Sequence, residues 1–250
     1  MKTHFKIPTE VTNIVQKLEE KGFEGFLIGG CVRDLFLNRP PKDWDVTTNA
    51  TPEEIQNIFP DSFYENSFGT VGVKTESEDP TLKVIEITPY RVEGEYSNNR
   101  HPDTVTFSKN IEDDLKRRDF TINAIALREK DDESEIIDLF GGIKDLSKGI
   151  IRTVGNPTDR FKEDGLRILR AVRLATELEF EIESETEKSI VENADLLENI
   201  SSERIRDEFS KIIASKEPMR GILTAKKANI LSHFLPELLE GVGCEQNKAH

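Results

Sequence analysis

Residues 26–48 read FLIGGCVRDLFLNRPPKDWDVTT, and the order of features within them decides what the chain folds around. Phe26-Leu27-Ile28 is a short apolar run of the kind a buried strand uses, and it enters the turn Gly29-Gly30. Residues 31–38 predict a helix opening at that turn, where free amides, Gly30 and Arg33 suit phosphate oxygens. Val46, Thr47 and Thr48 then favour an extended conformation for DWDVTT. Strand side chains alternate faces, so Asp43 and Asp45 project together while Trp44 points the other way into a core. Two adjacent carboxylates repel unless a cation lies between them, and hard oxygens suit magnesium or manganese. A phosphate cradle beside paired carboxylates is equipment for attack on a nucleoside triphosphate.

A glycine pair alone is an ordinary turn, and an isolated Asp-x-Asp is ordinarily solvated surface; their order and spacing in one unit make the combination specific. With Gly29-Gly30, Val32-Arg33-Asp34, Leu37, Arg39, Asp43, Asp45 and Thr48 in place, the chain resembles the nucleotidyltransferases of the class II tRNA CCA-adding enzyme and bacterial poly(A) polymerase family. The resemblance implies that Asp43 and Asp45 are catalytic and hold two divalent ions, expected to be Mg2+. Glu86, in LKVIEITPY, is the best-placed third carboxylate; its competing reading is an edge-strand carboxylate in solvent. The histidines His4, His101, His233 and His250 are scattered and form no nucleophile or general-base arrangement.

A second motif, Arg117-Arg118-Asp119-Phe120-Thr121-Ile122-Asn123-Ala124, places Asp119 and Asn123 four apart, on one face if the segment is helical. Arg118 is positioned to reach a triphosphate and Asn123 to bond its sugar or phosphate, against a plainer reading as helix capping with a basic surface patch. The resemblance implies that Arg118 binds the incoming nucleotide.

A third motif, EDGLRILRAVR at 163–173, has Ile168, Ala171, Val172 and Ala175 as its buried stripe. Asp164, Arg167, Arg170 and Arg173 recur every third residue as a polar row, a pattern that salt-bridged helix faces also show. The resemblance implies nucleotide binding by this row, with Asp164 and Arg167 as a protein template for the base. Cytosine and adenine both offer an amino donor beside a ring-nitrogen acceptor, whereas guanine and uracil present the reverse. A carboxylate acceptor beside a guanidinium donor therefore accepts C and A, and each mispaired buried group costs about 1–3 kcal/mol.

The 250 residues are enough for one sizeable core and a second, smaller unit. No apolar run approaches the roughly 20 residues of a membrane helix, and no signal core follows Met1. Cys31 and Cys244 have no metal-ligand spacing and read as reduced thiols in a cytoplasmic setting. The formal charge of −14 argues against a protein that coats nucleic acid, yet Lys116-Arg117-Arg118 and the arginines from 160 to 173 are locally basic. That balance fits an enzyme gripping only one end of an RNA.

Helices are predicted over 8–21, from the Thr51-Pro52-Glu53-Glu54 capping box to about residue 58, and over about 120–127. Strands are predicted over 69–74, 82–90 and 135–139, with a loop at 91–103; after residue 156 helical patterns dominate. The fold class is therefore α+β, with strands and helices to about residue 153 and helices after it; the resemblance implies that 1–153 is a nucleotidyltransferase head, a mixed β-sheet with flanking helices, and 154–250 an all-helical neck. SSERIRDEF at 201–209 is also like the family's neck. Family members usually continue into body and tail domains that hold tRNA, so these are expected to be absent from this chain.

The resemblance implies template-independent addition of CMP and AMP from CTP and ATP to a tRNA 3′ end. Poly(A) synthesis, A-only addition and a catalytically silent RNA-binding relative are the alternatives. Glu95, Tyr96, Arg100, His101 and Pro102 look like the flexible loop of enzymes that add the terminal A, which places CC-only addition lower.

Overall fold

The computed structural model describes residues 5–64, 69–94, 96, 104–130 and 133–244. These divide into two compact units: one of residues 5–94, 104–148 and 152–155, the other of Tyr96, 149–151 and 156–244. No helix among the described residues is long and apolar enough to cross a membrane.

The first unit is built on a mixed sheet. Helix α1 (Thr9–Glu20) buries Val11, Ile14, Val15 and Leu18 at helical spacing. It is followed by β1 (Phe26–Ile28), α2 (Gly30–Phe36), β2 (Asp45–Thr48) and α3 (Pro52–Ile58). The capping box forms as predicted: Thr51 Oγ1 accepts from Glu54 N and Glu54 Oε2 accepts from Thr51 N. Then come β3 (Ser62–Tyr64), β4 (Val71–Lys74), β5 (Val84–Pro89) and the hairpin of β6 (Arg91–Glu93) with β7 (Val105–Phe107). Helix α4 (Ile111–Lys116), β8 (Ile125–Lys130), β9 (Glu133–Asp138) and α5 (Gly142–Lys148) complete the unit.

Strand order is β3-β4-β5-β2-β1-β8-β9, with β2 and β5 parallel and the other neighbours antiparallel. Phe26, Leu27 and Ile28 are all buried, and β1 lies inside the sheet, paired with β2 on one side and β8 on the other. Leu115 of α4 packs on Phe26, Ile28 and Ala126, which fixes the end of α4 against the strand leading into the glycine turn.

The helix expected over 120–127 is not formed. Thr121–Asn123 make a single 3-10 turn, and Ile125–Lys130 form β8, paired with β1 and β9. Ile125, Ala126 and Leu127 are completely buried, so the run has none of the polar alternation that identifies a half-exposed strand. The predicted loop at 91–103 begins with β6 as one arm of a hairpin; Glu95, Arg100, His101 and Pro102 lie outside the described residues.

The second unit pairs β10 (Ile150–Ile151) with β11 (Glu181–Ile182) and is otherwise helical: α6 (Pro157–Glu163), α7 (Leu166–Leu178), α8 (Ser184–Glu192), α9 (Ser202–Ile213), α10 (Pro218–Lys227) and α11 (Glu237–Glu240), with short 3-10 turns. Ile168, Ala171, Val172 and Ala175 are buried on α7, as their spacing predicts, and each large aliphatic among such residues stabilises the core by about 1.5–3 kcal/mol. Gly221 lets α10 approach closely, since a Cβ there would collide with Ile212 Cγ2 and lie 2.8 Å from Thr176 Oγ1.

Candidate functional site

Gly29 ends β1 with φ +80° and ψ −136°, a conformation that only glycine adopts without strain. Acidic and basic side chains converge on the turn it makes. A Cβ at Gly29 would lie 3.4 Å from both Asp45 Oδ2 and Arg118 Nη1. One at Gly30 would lie 3.6 Å from Arg33 Nη2 and 3.9 Å from Asp43 Oδ1. Trp44 is buried, as alternation requires, whereas Asp43 is exposed just ahead of β2 and Asp45 is its first residue. Cys31 lies beneath, its thiol donating to Ile28 O at 3.1 Å; burial, reinforced by Asp45, pushes it up to about 12 and leaves it inert as a nucleophile.

Glu86 of β5 is in parallel register with Asp45, so the two carboxylates share a face and line one cavity. Asp45 is pushed up to about 7, first by burial, then by the charges of Asp43 and Glu86, with Arg118 opposing. Among the described residues, no three His, Cys, Asp or Glu side chains form a ready-made metal cage. An open carboxylate pair still fits magnesium, which is commonly held by one or two carboxylates together with substrate phosphates.

This crowding has a measurable consequence. Asp45 has a folded-state pKa above the unfolded value, so its favourable contribution is fully present below about pH 4 and is lost as pH rises through about 7. In a chelator at pH 8, Asp45→Asn is therefore expected to be more stable than the parent by up to roughly 4 kcal/mol. The gain should shrink toward pH 4 and narrow again in millimolar magnesium. Melting temperatures with and without magnesium check this; a less stable Asp45→Asn at pH 8 without metal contradicts it.

The second motif supplies the cations. Arg33 donates to Asp34 Oδ1 at 2.9 Å and to Asn123 Oδ1 at 3.1 Å, and Asn123 Nδ2 donates to Asp119 Oδ1 at 3.2 Å. The Asp119–Asn123 pair thus meets through a 3-10 turn, without the anticipated α-helix. Arg118 is held from behind by Asp114, whose Oδ2 accepts from its Nη2 at 3.0 Å; the other oxygen accepts from Arg117 Nη2 at 2.5 Å. Asp114 is completely buried; burial opposes its ionisation, but Arg117 and Arg118 outweigh it and hold the carboxyl below its usual range. Sequence reading missed Asp114. Its signal was an acid at an apolar-face position of α4, one residue before buried Leu115 and three after Ile111.

The third motif belongs to the second unit. Asp164 caps the end of α6 rather than joining α7, accepts from Leu166 N at 3.1 Å, and is gripped by Arg204 at 3.1 and 2.7 Å. Arg167 pairs with Glu163 and donates to Arg160 O at 3.1 Å. Arg173 bridges Glu208 and Glu177, both at 2.6 Å, tying α7 to α9. Burial opposes ionisation of Glu208, but Arg173 and Arg170 outweigh it and lower its pKa.

Two carboxylates and two arginines thus flank one glycine turn. Residues 25–152 match the poly A polymerase head domain, and 179–241 match the probable RNA and SrmB-binding site of polymerase A. The CCA-adding enzyme of Lactobacillus delbrueckii subsp. bulgaricus is 46% identical over 210 residues, 84% of this chain and 51% of that protein. That of Geobacillus stearothermophilus is 42% identical over 230 residues, 92% of this chain and 55% of that one. The crystal structure of the Bacillus stearothermophilus CCA-adding enzyme in complex with CTP matches with a TM-score of 0.81 at 39% identity, covering 90% of this chain and 53% of that one. The Thermotoga maritima CCA-adding enzyme complexed with tRNA matches with a TM-score of 0.74 at 27% identity, covering 93% and 54%. The chain belongs to the poly(A) polymerase head-domain family, the nucleotidyltransferases that include CCA-adding enzymes. It spans about half the length of the curated relatives it matches.

Proposed function

We propose that the chain transfers CMP and AMP from CTP and ATP to a tRNA 3′ end without a template, releasing pyrophosphate. The observation that carries this reading is the convergence of Asp43 and Asp45 with Arg33 and Arg118 on one glycine turn. The first unit serves as catalytic head and the second as neck. Two magnesium ions held by Asp43 and Asp45, with Glu86 as a third carboxylate, would supply Lewis acidity for the attacking hydroxyl and the leaving group. Arg33 and Arg118 bind the triphosphate beside Gly30, with Asn123 and Asp114 setting their orientation. Asp164 and Arg167 read the base, and Arg170 and Arg173 complete the nucleotide-binding row. We infer a cytoplasmic setting from the two free cysteines, Cys31 and Cys244.

Arg33→Ala and Arg118→Ala are each expected to raise KM for all four triphosphates by at least about tenfold, the worth of a lost charge-assisted hydrogen bond, without altering their ranking. Steady-state incorporation of each triphosphate tests it, and a change confined to one base contradicts the assignment.

A further inference from the structure

Asp164 and Arg167 lie on either side of the join between α6 and α7. Asp164 ends α6 in an extended conformation, with φ −145° and ψ 106°. Gly165 follows at φ −57° and ψ −24° and opens α7. That backbone suits any residue, so conformation gives no reason for a glycine here. Space does. A Cβ at Gly165 would lie 2.8 Å from Leu196 O, 3.1 Å from Leu196 Cβ and 3.2 Å from Leu196 C. The main chain of Leu196 therefore rests directly against the bare face of the join.

Leu196 belongs to the 3-10 turn Ala194–Asn199. Ala194, Leu197 and Ile200 recur every third residue, the period of such a turn, and all three are buried. The turn is thus anchored from behind, and α7 is anchored by buried Leu166, Ile168 and Leu169. Asp164 is placed instead by polar contacts, from Leu166 N at 3.1 Å and from Arg204 at 3.1 and 2.7 Å. A methyl group at position 165 would force its surroundings apart, and the link from Asp164 to Gly165 yields before two packed elements do. A recognition group has to be held to within about 0.5 Å of its working position. Resting on the base reading by Asp164 and Arg167 proposed above, we infer that Gly165 is a positioning residue for the choice of base. Its missing side chain lets the Leu196 carbonyl act as the stop that fixes Asp164.

Equilibrium dialysis with magnesium and each labelled triphosphate reads the choice of base without turnover. Gly165→Ala should cut the preference for CTP over UTP, and for ATP over GTP, by about fivefold or more, the lower end of what a mispaired buried group is worth. Gly221→Ala is the matched control, because its Cβ would collide with Ile212 Cγ2 and Thr176 Oγ1 and so overpack α10 of the same unit. It should lower the melting temperature while leaving both preferences within about twofold of the parent. Should Gly165→Ala fail to fold, Leu197→Ala removes support behind the turn and should weaken the same preferences. Parental preferences in whichever variant folds, beside lost preferences in Asp164→Ala, overturn the stop and leave base reading by Asp164 standing. An equal loss of preference in Gly221→Ala also overturns the stop, since choice would then follow stability alone. Parental preferences in Asp164→Ala itself, or a parent that binds all four triphosphates alike, overturn the base reading and the stop with it.

Discussion

Asp43→Ala and Asp45→Ala should each lower nucleotide incorporation by at least about a thousandfold, equivalent to roughly 4 kcal/mol of transition-state stabilisation. The expectation follows from the place of these carboxylates beside the glycine turn, where no other acid among the described residues stands so close to Gly29 or Gly30. Neither change removes a core side chain: Asp43 is exposed, and Asp45 lies at the first position of β2 with its charge disfavoured by burial. Both variants should therefore fold, and Asp45→Ala should melt no lower than the parent in chelator at pH 8. Incorporation assays with melting curves on the same preparations check this; more than a tenth of parental activity in either variant contradicts the assigned roles.

The next largest effect concerns the choice of base. Asp164→Ala or Arg167→Ala should erode the rejection of UTP and GTP by about tenfold or more, because a mispaired buried edge no longer meets a fixed carboxylate and guanidinium. Arg204 holds Asp164 through two hydrogen bonds, and Glu163 holds Arg167, so each of the two proposed base-reading residues has a partner that fixes its orientation. Arg204→Ala should then loosen discrimination in the same direction, though less, since Asp164 keeps its bond from Leu166 N. If these pairs only staple helices together, the variants will lose melting temperature while the ranking of triphosphates stays as in the parent. Incorporation of all four triphosphates, measured beside melting temperature, separates the two outcomes.

What was legible in the sequence was local. Gly29 announces a turn because its backbone conformation excludes other residues, and Thr51 to Glu54 announce a helix start because capping is a four-residue event. The buried stripe of α7 follows from helical periodicity alone. The 120–127 segment reads as helix in the sequence because Ile125, Ala126 and Leu127 of β8 are all buried, and burial on both faces erases strand alternation. Side chains that orient the site were hidden for another reason. Arg204 meets Asp164 across 40 positions, and Arg33 meets Asn123 across 90, distances at which no periodicity carries information. Asp114 was within reach as a charged residue on an apolar helix face, but its two partners are apparent only once Arg117 and Arg118 turn back onto it.

The central claim, metal-dependent transfer of C and A to an RNA end, is tested most directly by incubating the purified chain with magnesium, tRNA lacking its 3′ terminus, and each labelled triphosphate alone and in combination. CMP and then AMP should be incorporated to a product three nucleotides longer, with UMP and GMP excluded and EDTA stopping the reaction. No incorporation from any triphosphate would contradict catalysis by this chain, and a long homopolymer of A without C would replace CCA addition with poly(A) synthesis.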